Sequence, residues 1–176
     1  MDTTYNNNND YDEDYNDNYI DWNIGTIITL IVCIAIPILT GVLSSYFTQN
    51  AMLEFNSVNK PPLAPPAWLF PVAWTILYFL MGIASFNIYK STDSEHYIGL
   101  FIYALQLVFN FAWSLIFFRL ESYEFAAIWL AVLIIFIFSL ILNTSKYSKA
   151  AMFMLIPYAA WCLFAMYLNV GIAILN

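Results

Sequence analysis

The chain has 176 residues, of which 62% are hydrophobic and only 10% charged, and its formal net charge is −7. A soluble domain carries about 25% charged residues, so this composition excludes an ordinary water-soluble fold. The acidic balance also leaves no clustered Lys and Arg with which to bind nucleic acid.

Seven of the twelve acidic residues lie in the first 21 positions, interleaved with Asn and Tyr. Residues 1–21 therefore read as an acidic, Asn-rich, disordered tail with little apolar surface to bury. The tail has no Lys or Arg, unlike the positive start of a secretory signal peptide. Residues 22–176 form the second unit. Their few charges leave uncharged windows at 22–53, 61–89, 97–118, 125–145 and 150–176. A bilayer span needs about 20 predominantly apolar residues, so each window predicts one transmembrane helix.

The first helix is expected over about 24–47, with Pro37 bending it. A loop from Thr48 to Pro66 follows. It carries Lys60 and four prolines in six positions, Pro61, Pro62, Pro65 and Pro66. Each proline fixes φ and removes a backbone donor, which makes the loop semi-rigid and suited to cover a site. The second helix is expected from Pro66, at a first-turn position, to about Lys90. The third is expected over 97–118, the fourth over 123–143 and the fifth over 150–174. The remaining connections are short enough to force antiparallel neighbours. The fold class is all-α integral membrane: a five-transmembrane-helix bundle with a proline-rich loop between helices 1 and 2. Lys90, Lys146 and Lys149 share the tail's side and Lys60 and Arg119 the other, so the basic residues do not decide orientation.

Polar groups inside spans are costly and point to sites or to helix bridges. Gln106, Asn110 and Trp113 share one face of the third helix at i, i+4 and i+7. Trp161, Ala165 and Asn169 form a stripe in the fifth, and Trp74, Tyr78 and Met81 one in the second. Each stripe taken singly is explained by packing. Together with the proline loop they describe a pocket lined by aromatic rings and a few amides. Trp22, Trp68 and Trp129 are expected as interfacial anchors. Cys33 and Cys162 have no metal-ligand or redox spacing and read as packing residues. No paired carboxylates, nucleophile–histidine pattern or phosphate-binding glycine loop is present, so no catalytic and no metal residue is assigned.

Three segments carry a family resemblance. They are Lys60-Pro61 with Pro65-Pro66-x-Trp68 and Phe70-Pro71-x-x-Trp74-Thr75-x-Leu77-Tyr78-x-x-Met81-Gly82; Gln106-x-x-x-Asn110-x-x-Trp113; and Pro157-Tyr158-x-x-Trp161-x-x-Phe164-Ala165-x-x-x-Asn169. Together they resemble the TspO/MBR family of tryptophan-rich sensory and translocator proteins over residues 24–176. The resemblance implies a five-helix membrane protein that binds porphyrins, sterol-like lipids and isoquinoline or benzodiazepine drugs, commonly as a homodimer. It implies residence in the mitochondrial outer membrane or another cellular membrane, with the first loop capping the ligand pocket. Carried over by position, Trp74, Asn110, Trp113, Trp161, Ala165 and Asn169 line that pocket, with Gln106 nearby. Lys60 pairs with an acidic substituent such as a porphyrin propionate. No obligatory cofactor is implied; protoporphyrin or haem is the expected ligand, and membrane lipids are the expected surroundings. The leading expectation is a tetrapyrrole-binding receptor. The alternatives are a transporter of tetrapyrroles or lipids, a sensor acting through the acidic tail, and a catalyst of light-dependent porphyrin degradation.

Overall fold

The computed structural model describes residues 22–54 and 57–176. The acidic tail expected over 1–21 lies outside them. Five helices follow in order: α1 (Ile24–Glu54), α2 (Leu69–Tyr89), α3 (His96–Ser114), α4 (Tyr123–Thr144) and α5 (Lys149–Leu175). All five are long and apolar enough to cross a bilayer, α3 counting together with the short π-helical segment that continues it. The chain is a multi-pass membrane protein. In hydrocarbon every backbone group must be satisfied within the segment, and an α-helix does this unaided.

Two boundaries depart from expectation. α1 runs two turns past Phe47, because nothing between Thr48 and Glu54 interrupts a helix and the first proline comes only at 61. α2 begins at Leu69 rather than Pro66. The Leu69 N–H donates to the Pro66 carbonyl (3.0 Å) and the Phe70 N–H to the Ala67 carbonyl (3.3 Å), so residues 66–68 form a turn ahead of the helix. Pro71 occupies the first turn of α2 instead, where a missing N–H breaks no intrahelical bond. α3 passes directly into the π segment Leu115–Arg119, in which the Leu120 N–H reaches back five residues to the Leu115 carbonyl (3.0 Å).

α2 packs against both α1 and α5, and α4 against both α3 and α5. Met81, Ala84 and Ile88 of α2 and Leu155 and Tyr158 of α5 are fully buried between them. α1 is held from one side only, and its Ile31, Val32, Leu39 and Leu43 face outward. Such residues suit lipid tails, which impose no cost on exposed apolar surface. Close approach of α1 to α2 depends on Gly82. A Cβ there would lie 2.5 Å from the Ile34 Cα and 3.0 Å from the Cys33 carbonyl oxygen. That carbonyl is the one whose helical donor Pro37 removes.

The proline-rich loop is strapped to the end of α5. Tyr167 donates its hydroxyl to the Pro62 carbonyl (2.6 Å). The Asn59 N–H donates to Asn176 Oδ1 (3.1 Å), and Asn176 Nδ2 donates to the Asn59 carbonyl (3.0 Å). Pro61 is buried against Gly171, where a Cβ would come within 2.7 Å of its ring. Leu63, at φ 68°, turns the chain in the left-handed region and points outward. Gly171→Val is expected to lift the loop without disturbing the bundle. Hydrogen exchange over residues 57–68 should rise about tenfold, which corresponds to about 1.4 kcal/mol of lost protection. Unchanged exchange would show that Pro61 is not what holds the loop.

At the other membrane face the α2–α3 and α4–α5 turns are joined by polar contacts. Lys146 Nζ lies 2.7 Å from Glu95 Oε2, and the Tyr147 hydroxyl donates to Asn143 Oδ1 (2.7 Å). Burial first, then the nearby carboxylates of Asp93 and Glu95, pushes the Tyr147 phenol up to about 12. It therefore stays a donor throughout the physiological range.

Candidate ligand-binding site

Between α1, α2 and α3 lies a cavity of about 270 Å³. Its aromatic wall begins on α2, where Phe70, Trp74 and Tyr78 succeed one another at four-residue steps and so share one face. The Trp74 and Tyr78 rings stack at 5.5 Å and 29°. Trp113 of α3 closes the wall, its ring 6.2 Å from that of Trp74. Opposite stand hydroxyl groups, Ser44, Ser45 and Thr48 from α1 with Ser114 from the end of α3.

Behind the aromatic wall runs a buried polar network. Tyr78 donates its hydroxyl to Asn110 Oδ1 (2.7 Å), and Asn110 Nδ2 donates to the Tyr158 oxygen (3.2 Å). Tyr158 in turn donates to Gln106 Oε1 (2.8 Å). The network joins α2, α3 and α5 and is sealed, with Gln106 and Tyr158 having no exposed surface. A second link fixes the Trp113 ring: its indole N–H donates to Asn169 Oδ1 (3.1 Å), and Asn169 Nδ2 donates to the Tyr123 carbonyl (2.7 Å). Locking rotamers this way holds a site's geometry in place before any ligand arrives.

The structure thus separates the residues expected to act together. Trp74, Asn110 and Trp113 line the cavity, whereas Gln106, Trp161, Ala165 and Asn169 do not. Asn169 acts on the wall through Trp113, and Trp161 through an edge-to-face contact with Phe70 (6.0 Å, 72°). Ala165 is buried within the bundle. Lys60 sits in the loop on α5 and is not a lining residue, and among the described residues of the loop none before Phe70 lines this cavity. Of the expected site residues, Gln106 Nε2 and Trp161 Nε1 are donors buried without a hydrogen-bond partner. Trp129 is not an interfacial anchor. It stacks on Phe109 (4.5 Å, 17°) and donates to the Phe109 carbonyl (3.0 Å), tying α4 to α3. Trp22 and Trp68 are exposed near span ends, as anchors require.

Sequence reasoning passed over Tyr158 as a site residue, although Pro157-Tyr158 stood in one of its motifs. It also missed the hydroxyls of α1. Tyr158 had a usable signal, a phenol in mid-span needing a partner. Ser44 and Thr48 had none, because hydroxyls in membrane helices routinely bond their own backbone.

The TspO/MBR family model matches residues 33–175, most of the chain. This protein belongs to the TspO/MBR family. It is 37% identical over 153 residues to the tryptophan-rich protein TspO of Chlorobaculum tepidum, a match covering 85% of this chain and 97% of the relative. It is 35% identical to the translocator protein homolog of Schizosaccharomyces pombe, with 70% of this chain and 77% of that one covered. The translocator protein of Bos taurus is 32% identical, over 76% and 82% of the two chains. A bacterial and two eukaryotic relatives thus align with 70% to 85% of this TspO/MBR protein.

Proposed function

We propose that this protein is a membrane receptor for a planar hydrophobic ligand, with tetrapyrroles as the leading class. The observation that carries the reading is the cavity wall of Trp74, Tyr78 and Trp113, in which Tyr78 and Trp113 are held by hydrogen bonds to Asn110 and Asn169 and Trp74 is stacked on Tyr78. Aromatic surface that is already ordered binds flat ligands without a further loss of rotamer freedom. A volume of about 270 Å³ takes two or three fused rings, at the small end of ligand pockets. A full macrocycle requires α1, which is packed on one side only, to move outward. Relatives carry the names sensory protein and translocator protein, and both roles begin with such a binding step.

The test is titration of protoporphyrin into the purified protein, read by the shift of its own absorption band. Trp74→Leu is expected to weaken binding about tenfold, from lost stacking and lost apolar contact. Trp22→Phe, at an exposed ring on the membrane edge, should leave it unchanged. Equal weakening by both, or by neither, would remove the cavity from the reading and return the stripe to helix packing. Saturable binding followed by light-dependent bleaching that Trp74→Leu abolishes would add degradation to the receptor role.

A further inference from the structure

The hydroxyl wall of the cavity has a direction. Every hydroxyl carries one proton, and at Ser44, Thr48, Ser114, Thr75 and Tyr78 that proton is already placed; Ser45, the exposed member of the wall, stands outside this set. Thr48 donates to the Ser44 carbonyl (2.9 Å), Ser114 to the Phe111 carbonyl (2.8 Å) and Thr75 to the Pro71 carbonyl (2.8 Å). Ser44 and Ser114 also bond each other through their hydroxyl oxygens. With the Ser114 proton at Phe111, the proton in that contact belongs to Ser44. The Tyr78 hydroxyl is likewise committed, to Asn110. What these side chains still offer the cavity they line is lone pairs, since a hydroxyl has two acceptor positions beside its one donor.

The consequence is thermodynamic. A ligand O–H or N–H placed against Ser44, Thr48 or Ser114 adds a hydrogen bond to those already present. A ligand carbonyl or carboxylate there must break an internal bond to gain one, and in an apolar interior that exchange yields nothing net. A carboxylate would also bring its charge against oxygen atoms. Ser44, Thr48 and Ser114 are each more than nine-tenths buried, so water does not relieve the mismatch at their side chains.

Resting on the reading of this cavity as a ligand site, we infer that its ligands are aromatic compounds bearing a neutral hydrogen-bond donor. The aromatic body lies against Trp74 and the O–H or N–H points to Ser44, Thr48 and Ser114 of the hydroxyl wall. An acidic substituent is turned away from these three hydroxyls.

The inference is tested with matched probes that fit the volume: 2-naphthol, 2-methoxynaphthalene and 2-naphthoate. Binding to the full chain in nanodiscs is measured calorimetrically against empty nanodiscs. 2-Naphthol is expected to bind about tenfold tighter than 2-methoxynaphthalene, the effect of one buried hydrogen bond, and 2-naphthoate most weakly. Thr48→Val keeps the shape of the side chain and removes its acceptor. It should reduce the preference for the naphthol over its methyl ether severalfold. Ser114→Ala provides a second variant with the same expectation. Equal affinities for the naphthol and its methyl ether, or equal weakening of both by Thr48→Val, would overturn the inference and leave the cavity reading standing. No saturable binding of any probe, together with protoporphyrin binding indifferent to Trp74→Leu, would remove the cavity reading and the inference with it.

Discussion

Asn110→Leu is expected to lower the melting temperature of the detergent-purified protein by about 5–10 °C. The two side chains share a branched shape, but Leu is the larger, so the loss combines stranded hydrogen-bonding groups with some overpacking. Asn110 accepts from the Tyr78 hydroxyl and donates to Tyr158, and its own exposure is only 2%. Removing it strands the Tyr78 proton and takes one donor from the Tyr158 oxygen, on two residues that are more than nine-tenths buried. Interhelical hydrogen bonds in membranes average about 0.6 kcal/mol and reach about 1.7, and a stranded buried group costs about 1–3 kcal/mol. The combined loss of about 2–4 kcal/mol converts to the stated shift at about 2–4 °C per kcal/mol for a domain of this size. Adding Tyr78→Phe removes the stranded proton, so the double variant should recover part of the loss. A single variant melting within a degree of wild type would show that the network is ornamental. A double variant that melts at the sum of two independent losses would show that the two groups are not coupled.

Gly82→Ala should be the second large effect, and it has a built-in control. Replacing Gly by Ala within a helix gains about 1 kcal/mol of propensity. At Gly25 the added Cβ meets only the Asn23 side chain at 3.2 Å, so Gly25→Ala should be neutral or slightly stabilising. At Gly82 it meets the α1 backbone, the Ile34 Cα at 2.5 Å, which no rotamer change can relieve. α1 must shift outward by about an ångström, at an overpacking cost of about 1–3 kcal/mol that offsets the propensity gain. Because α1 and α2 both line the cavity, the variant should also change ligand affinity without touching a lining residue. A crosslink between cysteines placed at Ile38 and Thr75 would report the separation of the two helices. Equal melting temperatures and equal crosslinking for Gly82→Ala and wild type would refute the close approach.

The five spans were legible because charge is prohibitive in hydrocarbon. Ten charges in the last 155 residues leave few ways to partition the chain, and each helix covers one of the windows between them, reaching a charged residue only at its ends (Glu54, Glu124 and Lys149). The third helix's face of Gln106, Asn110 and Trp113 was legible for a related reason, since polar groups in a span stand out and the helical period places them together. Boundaries near proline were less so. Pro66 and Pro71 are equally acceptable in a first turn, and only the backbone bonds at Leu69 and Phe70 choose between them.

What the sequence by itself determined is the membrane class, the number of spans, the short antiparallel connections and the faces on which polar and aromatic residues lie. These follow from local composition and helical period. Tertiary structure alone decided which faces meet and what each polar atom is used for. It turned Asn169 from an expected ligand contact into the anchor of Trp113, laid the proline loop on α5 and brought the α1 hydroxyls to the cavity. The reason is physical: a side chain's period places it on a face, but its hydrogen-bond partner lies on another helix, and the sequence carries no distance between helices.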